Sequence, residues 1–149
     1  MNVGRGVLHQ AAEGERLEAR GSVMLFKAVS AATGGRLSVM ERSLPAGGRL
    51  PPVHAHPDRA EFFYVLAGVI TFLIDGHQRA GESGCSVVVP RDVPHTFGNT
   101  GPEEARLLVV HSPGLDDYFR ELQTLWSGPT PPTVAAEREL MARHGMRSG

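Results

Sequence analysis

Three side chains of the types that bind metal ions lie close together in the stretch PPVHAHPDRAEFFYVLAG. His54 and His56 are one residue apart, and Glu61 follows five positions after the second histidine. Successive side chains of a strand point to opposite faces, so His54 and His56 would present both imidazoles to one site. Pro57 and Asp58 would then turn the chain, which lets Glu61 enter the next strand facing the same place.

A fourth candidate ligand, His95, lies in the stretch GCSVVVPRDVPHTFGN, where Phe97 and Asn99 would share its side of an extended chain. Three neutral imidazoles and one carboxylate suit a divalent ion such as iron, manganese, nickel, copper or zinc. The alternative is that these are ordinary buried or surface histidines. That reading is the better one for a lone histidine, but four candidates in two turn-bounded blocks favour a metal site.

The elements that would position these side chains are short strands. From Gly21 to Val110, runs of Val, Ile, Leu and Phe are interrupted by Gly, Pro and Asp, which is typical of an all-β domain. The Asp75-Gly76 pair between two apolar runs predicts a tight hairpin. The spacing favours a sandwich or jelly roll. The predicted strands are Ser22 to Val29, Arg36 to Leu44, Glu61 to Leu66, Val69 to Ile74, Cys85 to Val89, Thr96 to Phe97 and Arg106 to His111.

After Val110 the apolar residues recur at intervals of three and four. This spacing predicts a helix with Ser112 as its cap and Pro113 in its first turn. We expect this helix to pack on the β-domain, although its stripe could instead bind a partner. A second short helix is predicted from Thr133 to His144. The stripe of the first helix consists of Leu115, Tyr118, Phe119, Leu122, Leu125 and Trp126.

The whole composition is that of one ordinary globular domain of 149 residues. Its formal charge of -1 offers no basic surplus for a phosphate backbone, so we expect no nucleic-acid partner. No apolar run reaches the length of a membrane span, which predicts a cytoplasmic protein without a membrane partner. Cys85 is the only cysteine and is expected to be a buried structural thiol.

Two sets of intervals make the chain resemble the cupin superfamily, whose motifs read G-x5-H-x-H-x4-E-x6-G and G-x5-P-x-G-x2-H-x3-N. Residues that match the first motif are Gly48, His54, His56, Glu61 and Gly68. Residues that match the second are Gly84, Pro90, His95 and Asn99. Asp92 stands where the family usually has glycine, which puts only the shape of that turn in doubt because Asp tolerates such backbones.

The resemblance implies an all-β fold: a single jelly-roll barrel, followed here by one or two C-terminal helices. In such a barrel His54, His56, Glu61 and His95 would converge on one divalent transition metal ion that faces an open mouth. We expect an N-terminal segment over residues 1–20, the barrel over 21–112 and a helical extension over 113–149.

From about Gly34 to Leu122 the chain looks like single-domain cupins described as quercetin 2,3-dioxygenase-like. That similarity implies a metal-dependent oxygenase acting on a small enolisable or phenolic molecule. Four protein ligands on an octahedral ion leave two positions for water, substrate or dioxygen. Glu61 could loosen its bond to the ion and act as a general base, which makes it the candidate catalytic residue. The alternatives are a non-redox isomerase or cyclase, and a non-catalytic cupin that binds a small molecule.

Strand alternation suggests which apolar residues line a substrate pocket. Phe63 and Val65 would share the side of Glu61, and Phe97 would share that of His95. Met40 or Glu41 on the facing strand could also look inward. Core packing explains these residues equally well.

The remaining histidines receive other roles. His111 is expected to be structural or at the surface, and His9, His77 and His144 are expected to be solvated. Similar cupins are commonly dimers, so we expect a homodimer, with edge strands near Ser22 to Val29 that a second copy could pair.

Overall fold

The computed structural model describes residues 1–48 and 50–148. Alternating buried and exposed side chains build short strands, and three helices complete the described chain. The strands are β1 (Asn2–Val3), β2 (Gly6–Val7), β3 (Glu15–Ala19), β4 (Ser22–Ala28), β5 (Ser38–Leu44), β6 (His54–Ala55), β7 (Ala60–Ala67), β8 (Ile70–Ile74), β9 (His77–Gly81), β10 (Ser86–Val89), β11 (His95–Gly98), β12 (Ala105–Ser112) and β13 (Arg147–Ser148). The helices are α1 (Ser30–Thr33), α2 (Asp116–Trp126) and α3 (Val134–Arg143).

Two antiparallel sheets enclose the core. The first has the strand order β10-β7-β12-β5-β4-β3, and the second has the order β13-β6-β11-β8-β9. Their inner faces meet through aromatic rings: the ring centroid of Phe63 in the first sheet lies 5.4 Å from that of Phe72 and 4.8 Å from that of Phe97 in the second. The all-β jelly-roll prediction, with helices at the C-terminal end, is confirmed.

Strand register decides which side chains face inward. Along β7, Glu61, Phe63 and Val65 are buried, because alternate residues of this strand face the core. β12 pairs with β7 so that His111 lies opposite Glu61. In the second sheet, β11 pairs with β6 so that His95 lies opposite His54. Pairing therefore brings polar residues from distant parts of the sequence to one end of the barrel.

Two turns show why particular residues are needed. Asp75 and Gly76 both have positive φ, at 50° and 80°, as expected for the predicted hairpin between β8 and β9. Gly68, between β7 and β8, has a φ of 73°, and a Cβ there would lie 2.6 Å from the carbonyl oxygen of Glu104. Only glycine fits that position without displacing backbone.

All seven predicted strands are present, with ends that shift by at most two residues. Of the strands longer than two residues, β3 and β9 were not predicted, because β9 is mostly polar and β3 alternates charged with apolar residues. β3 pairs with β4, so Ser22 to Val29 lies inside its sheet and the sheet edge near it is β3. β3 also lies before the expected start of the barrel at residue 21 and belongs to the same sheet.

The first C-terminal helix starts later than predicted. Ser112 is the last residue of β12, and α2 begins at Asp116 after Leu115, whose side chain makes no capping hydrogen bond. The expected packing on the barrel is confirmed, since the rings of Phe119 and Phe26 lie 5.9 Å apart.

The second C-terminal helix agrees with its predicted boundaries. α3 is capped by Thr133, whose hydroxyl accepts a hydrogen bond from the Ala136 amide at 3.1 Å. Gly145 follows this helix with a φ of 80°. Among the described residues, none of the helices combines the length and apolar character that a membrane crossing requires.

Candidate metal centre

The four predicted metal ligands meet at one end of the barrel. His54 and His56 come from β6 and the residue after it, Glu61 from the start of β7, and His95 from the start of β11. One ligand atom from each residue can be chosen so that all four atoms lie within 4.8 Å of one another. His56, Glu61 and His95 are buried, with exposed fractions of 3%, 4% and 2%. The convergence inferred from the intervals is therefore a geometric fact of the fold.

Backbone carbonyls orient two of the rings. The Nδ1 of His54 lies 3.0 Å from the carbonyl oxygen of Pro52, and the Nδ1 of His95 lies 2.8 Å from that of Val93. A carbonyl only accepts, so each Nδ1 carries a proton and donates it. The Nε2 of each ring is left for the cluster, which is the arrangement that metal-binding histidines normally have.

Glu61 lies at the centre of the cluster. Its Oε1 contacts the Nε2 of His95 at 2.7 Å and that of His56 at 3.2 Å, while its Oε2 contacts the Nε2 of His111 at 2.9 Å. Burial alone would raise the pKa of Glu61, but the charge of His111 and the hydrogen bonds from the three rings hold that pKa well below its ordinary value. Glu61 is therefore ionised at neutral pH.

Burial acts on the histidines in the opposite sense. It lowers the pKa of His54 to about 3, assisted by the neighbouring charge of His95. Burial also lowers the pKa of His56. For His95, burial is outweighed by the hydrogen bond to Glu61, so its pKa is raised. His54 and His56 are thus neutral at pH 7, the form in which imidazole binds a metal.

The residues fit a divalent ion. The Nδ1 of His56 is buried and has no hydrogen-bond partner among the described residues. An unsatisfied buried nitrogen costs roughly 1–3 kcal/mol, and coordination of a cation by the ring is one way to offset that cost. The imidazoles of His54, His56 and His95, together with the carboxylate of Glu61, also provide the mixed nitrogen and oxygen donors that first-row metals prefer. The identity of the ion is not fixed by this donor set.

His111 belongs to the site although it was expected to be structural or at the surface. It is only 2% exposed, and it bonds the Glu61 oxygen that His56 and His95 leave free. Its ring also lies 5.6 Å from that of Phe119 in α2. Only the pairing of β12 with β7 brings it there, and the sequence gives no local signal of that register.

The predicted pocket residues occupy two different places. Phe97 lines a small cavity of about 20 Å³ that also contacts His54, His56 and Glu61. Phe63, Val65 and Met40 are fully buried in the core, and the described lining of the cavity does not include them. Their contact with a substrate remains a prediction, whereas their packing is observed.

The C-terminal extension lines one side of this cavity. Leu115, Tyr118 and Phe119 line it from the start of α2, and Met141 and Met146 line it from α3 and the segment that follows. A larger groove lies outside the barrel, between the β3–β4 turn and α2, and holds none of the predicted ligands.

Of the other predicted roles, the structure confirms some and contradicts others. His77 is exposed, as expected, but His9 is half-buried, and the side chain of His144 is only 19% exposed. His144 contacts Glu121 and packs edge-on against Tyr118, so the expectation that it is solvated is wrong. Cys85 is half-buried and packs against the core.

Comparison with known proteins agrees with this geometry. Residues 40–111 match the family model described as the cupin domain. The barrel is a cupin domain. Over 75% of this chain and 97% of the other, the structure resembles that of KdgF from Halomonas sp., with a TM-score of 0.65 and 19% sequence identity. At that identity the likeness concerns the fold alone.

Two Streptomyces proteins match shorter stretches of this cupin. Protein SchB of Streptomyces halstedii is 42% identical over 55 residues, which are 37% of this chain and 40% of that protein. Polyketide synthase CurC of Streptomyces cyaneus is 37% identical over 60 residues, which are 40% of this chain and 39% of that protein. Because less than half of each relative is covered, its activity does not transfer directly.

Proposed function

We propose that this cupin is a metal-dependent enzyme that binds a small enolisable or phenolic molecule at the cluster of His54, His56, Glu61 and His95. The observation that carries the proposal is the convergence of these four side chains, three of which, His54, His56 and Glu61, line a largely apolar cavity. A divalent ion held there would supply positive charge that stabilises an enolate or phenolate oxygen.

The protein's own residues would prepare the site for this chemistry. The carbonyls of Pro52 and Val93 fix the rings of His54 and His95. His111 holds the second oxygen of Glu61, so the carboxylate is positioned before a substrate arrives. Glu61 is the candidate to accept a proton from a substrate carbon or hydroxyl, because it is ionised at neutral pH and both of its oxygens face the cluster.

Two more specific activities would begin with proton transfer to Glu61: that of an oxygenase and that of a non-redox cyclase or isomerase. The oxygenase is supported by the resemblance to quercetin 2,3-dioxygenase-like cupins, and that resemblance remains a prediction. The non-redox cyclase or isomerase is supported by the match to a protein named as a polyketide synthase. Chains with alternating keto groups are enolisable, so a polyketide-type substrate suits the proposed site.

Turnover with and without oxygen separates these activities. The purified protein would be loaded with iron(II), manganese(II) or nickel(II) and mixed with flavonols and β-diketones. Dioxygen uptake identifies an oxygenase, and metal-dependent product formation under anaerobic conditions identifies a cyclase or isomerase. Glu61→Gln should abolish either activity, whereas Glu41→Gln, a substitution of a half-buried glutamate of β5, should leave it unchanged.

Absence of product with every metal, both aerobically and anaerobically, would contradict the proposal. If the same panel still bound the loaded protein, the non-catalytic binding reading would replace it. Metal removal that only lowered the melting temperature, without affecting ligand binding, would indicate a structural ion.

A further inference from the structure

Arg42 lies inside the barrel, beside the cluster. It follows Met40 by two residues on β5, shares the inward face of that strand and is only 3% exposed. Its guanidinium carbon lies 5.2 Å from the ring centroid of Phe97 and 6.0 Å from that of Phe119. Arg42 lines the same cavity as His54, His56 and Glu61.

This buried cation has no carboxylate partner among the described residues. Its Nε donates to the hydroxyl of Ser22 at 3.2 Å, and within residues 1–48 and 50–148 no hydrogen bond involves its two terminal nitrogens. Burial, with the nearby charge of Arg20, lowers the pKa of Arg42 to about 9. Arg20, in contrast, is paired with Glu137 at 2.6 Å.

The missing partner requires an explanation, because a buried charge without a counterion is strongly unfavourable. Glu61 favours the charge of Arg42 from a distance, but its two oxygens are occupied by three imidazoles. The terminal nitrogens of Arg42 are thus donors beside a cavity. A guanidinium matches the two oxygens of a carboxylate, to which it can donate two parallel hydrogen bonds.

We propose that Arg42 is the substrate-anchoring residue of this site and that the substrate carries a carboxylate, as a small aromatic or enolisable acid does. The inference rests on the proposed function, which it narrows to one substrate class. Phe97 and Phe119 flank the guanidinium and would exclude water from the ion pair. The anchored acid would then present its enolisable or phenolic oxygen toward the histidine cluster.

Binding of a matched pair of probes tests this role. Benzoate and benzamide have nearly the same shape, but only benzoate is charged. Isothermal titration would measure both against the zinc-loaded protein and the metal-stripped protein. We expect the wild type to bind benzoate at least tenfold more tightly than benzamide in both forms.

Arg42→Met should remove the preference for benzoate and leave the weak binding of benzamide unchanged. Arg106→Met, which changes a half-exposed arginine of β12, serves as the control and should keep the preference. Arg42→Lys retains the charge but not the paired donors, so we expect an intermediate preference. If Arg42→Met does not fold, Arg42→Lys is the variant that tests the role of Arg42.

Several results would overturn the inference. Equal affinity of the wild type for the two probes would do so, as would a full preference in both Arg42 variants. A preference that vanished on metal removal would assign the carboxylate to the ion instead of Arg42. Because the metal-stripped arm involves no turnover, failure of the anchor is distinguishable from failure of the proposed enzyme activity.

Discussion

The carboxylate of Glu61 joins imidazoles that come from β11, β12 and the residue after β6. His56 and His95 share one oxygen, and His111 holds the other. If Glu61 binds an ion, His111 acts on that ion through the carboxylate, as partners of metal ligands commonly do. His111 is therefore a positioning residue rather than a proposed ligand.

Replacing His111 tests this indirect role. We expect His111→Asn to weaken metal binding by about 10- to 100-fold, because Glu61 would lose the donor that orients it. The measurement is a competition titration with a chromogenic chelator. His77→Asn changes an exposed histidine of β9 and should leave the affinity unchanged. Equal affinities for the two variants would show that His111 only packs.

Residue intervals predicted the four candidate ligands, but they did not reveal His111 or Arg42. His54, His56, Glu61 and His95 lie in two short stretches, so spacing alone groups them. His111 joins them only through the register of two strands. Arg42 would follow from Met40 by strand alternation, but the phase of β5 was not decided by the sequence.

Helix α2 is fixed to the barrel by a carboxylate at its first residue. Asp116 accepts hydrogen bonds from the backbone amide and the hydroxyl of Ser30, and it pairs with Arg120 one turn later at 2.8 Å. The predicted cap, Ser112, instead donates to the carbonyl of Arg36. Such a contact between distant segments could not be predicted from local spacing.

The Asp116 contacts predict a pH-dependent stability. Burial would raise the pKa of Asp116, but its hydrogen bonds with Ser30 and Arg120 outweigh burial and lower it. A carboxylate whose pKa is lower in the folded state stabilises the fold at pH values above its unfolded-state pKa, near 3.9. That contribution is lost as the pH falls through the folded-state pKa. Asp116→Asn should therefore reduce the free energy of unfolding by about 1–3 kcal/mol at pH 7.

Urea denaturation at pH 7 and at pH 3 measures this effect. The difference between wild type and Asp116→Asn should shrink at the lower pH. Asp117→Asn removes a neighbouring carboxylate whose side chain is 85% exposed, so it should have little effect at either pH. If Asp116→Asn lowered the free energy of unfolding equally at pH 7 and pH 3, the pH dependence could not be assigned to Asp116.

A buried ion pair connects the C-terminal extension to the barrel. Arg20, in the turn between β3 and β4, donates to Glu137 of α3 from both Nε and a terminal nitrogen, at 2.9 Å and 2.6 Å. The side chains are 9% and 1% exposed. α3 also supplies Met141 to the cavity lining, so this pair helps to hold that part of the lining in place.

Removing Arg20 should loosen the extension. Arg20→Met leaves Glu137 with one fewer cationic partner, and breaking a buried pair in this way typically costs about 3–5 kcal/mol. We expect lower unfolding free energy and faster amide hydrogen exchange in α3. Arg16→Met breaks a pair with Glu18 whose side chains are both 62% exposed, and it should cost less than about 1 kcal/mol. Similar costs for both variants would contradict the proposed link.

The homodimer and the cytoplasmic location remain predictions. Because β4 lies inside its sheet, a second copy that pairs by strand addition would need another edge, such as β3 or β10. Light scattering would measure the oligomeric state.

The general fold followed from sequence because turn residues separate apolar runs at regular spacing. The part of the cavity lining that the C-terminal extension contributes did not, since it depends on where that extension docks.

The last described strand has a practical consequence for protein production. In β13, Ser148 pairs with His54 itself. A polyhistidine purification tag fused behind this strand would start beside a candidate ligand and compete for the ion. Apparent metal stoichiometry would then report the tag as well as the cluster, so an N-terminal, cleavable tag is the appropriate choice.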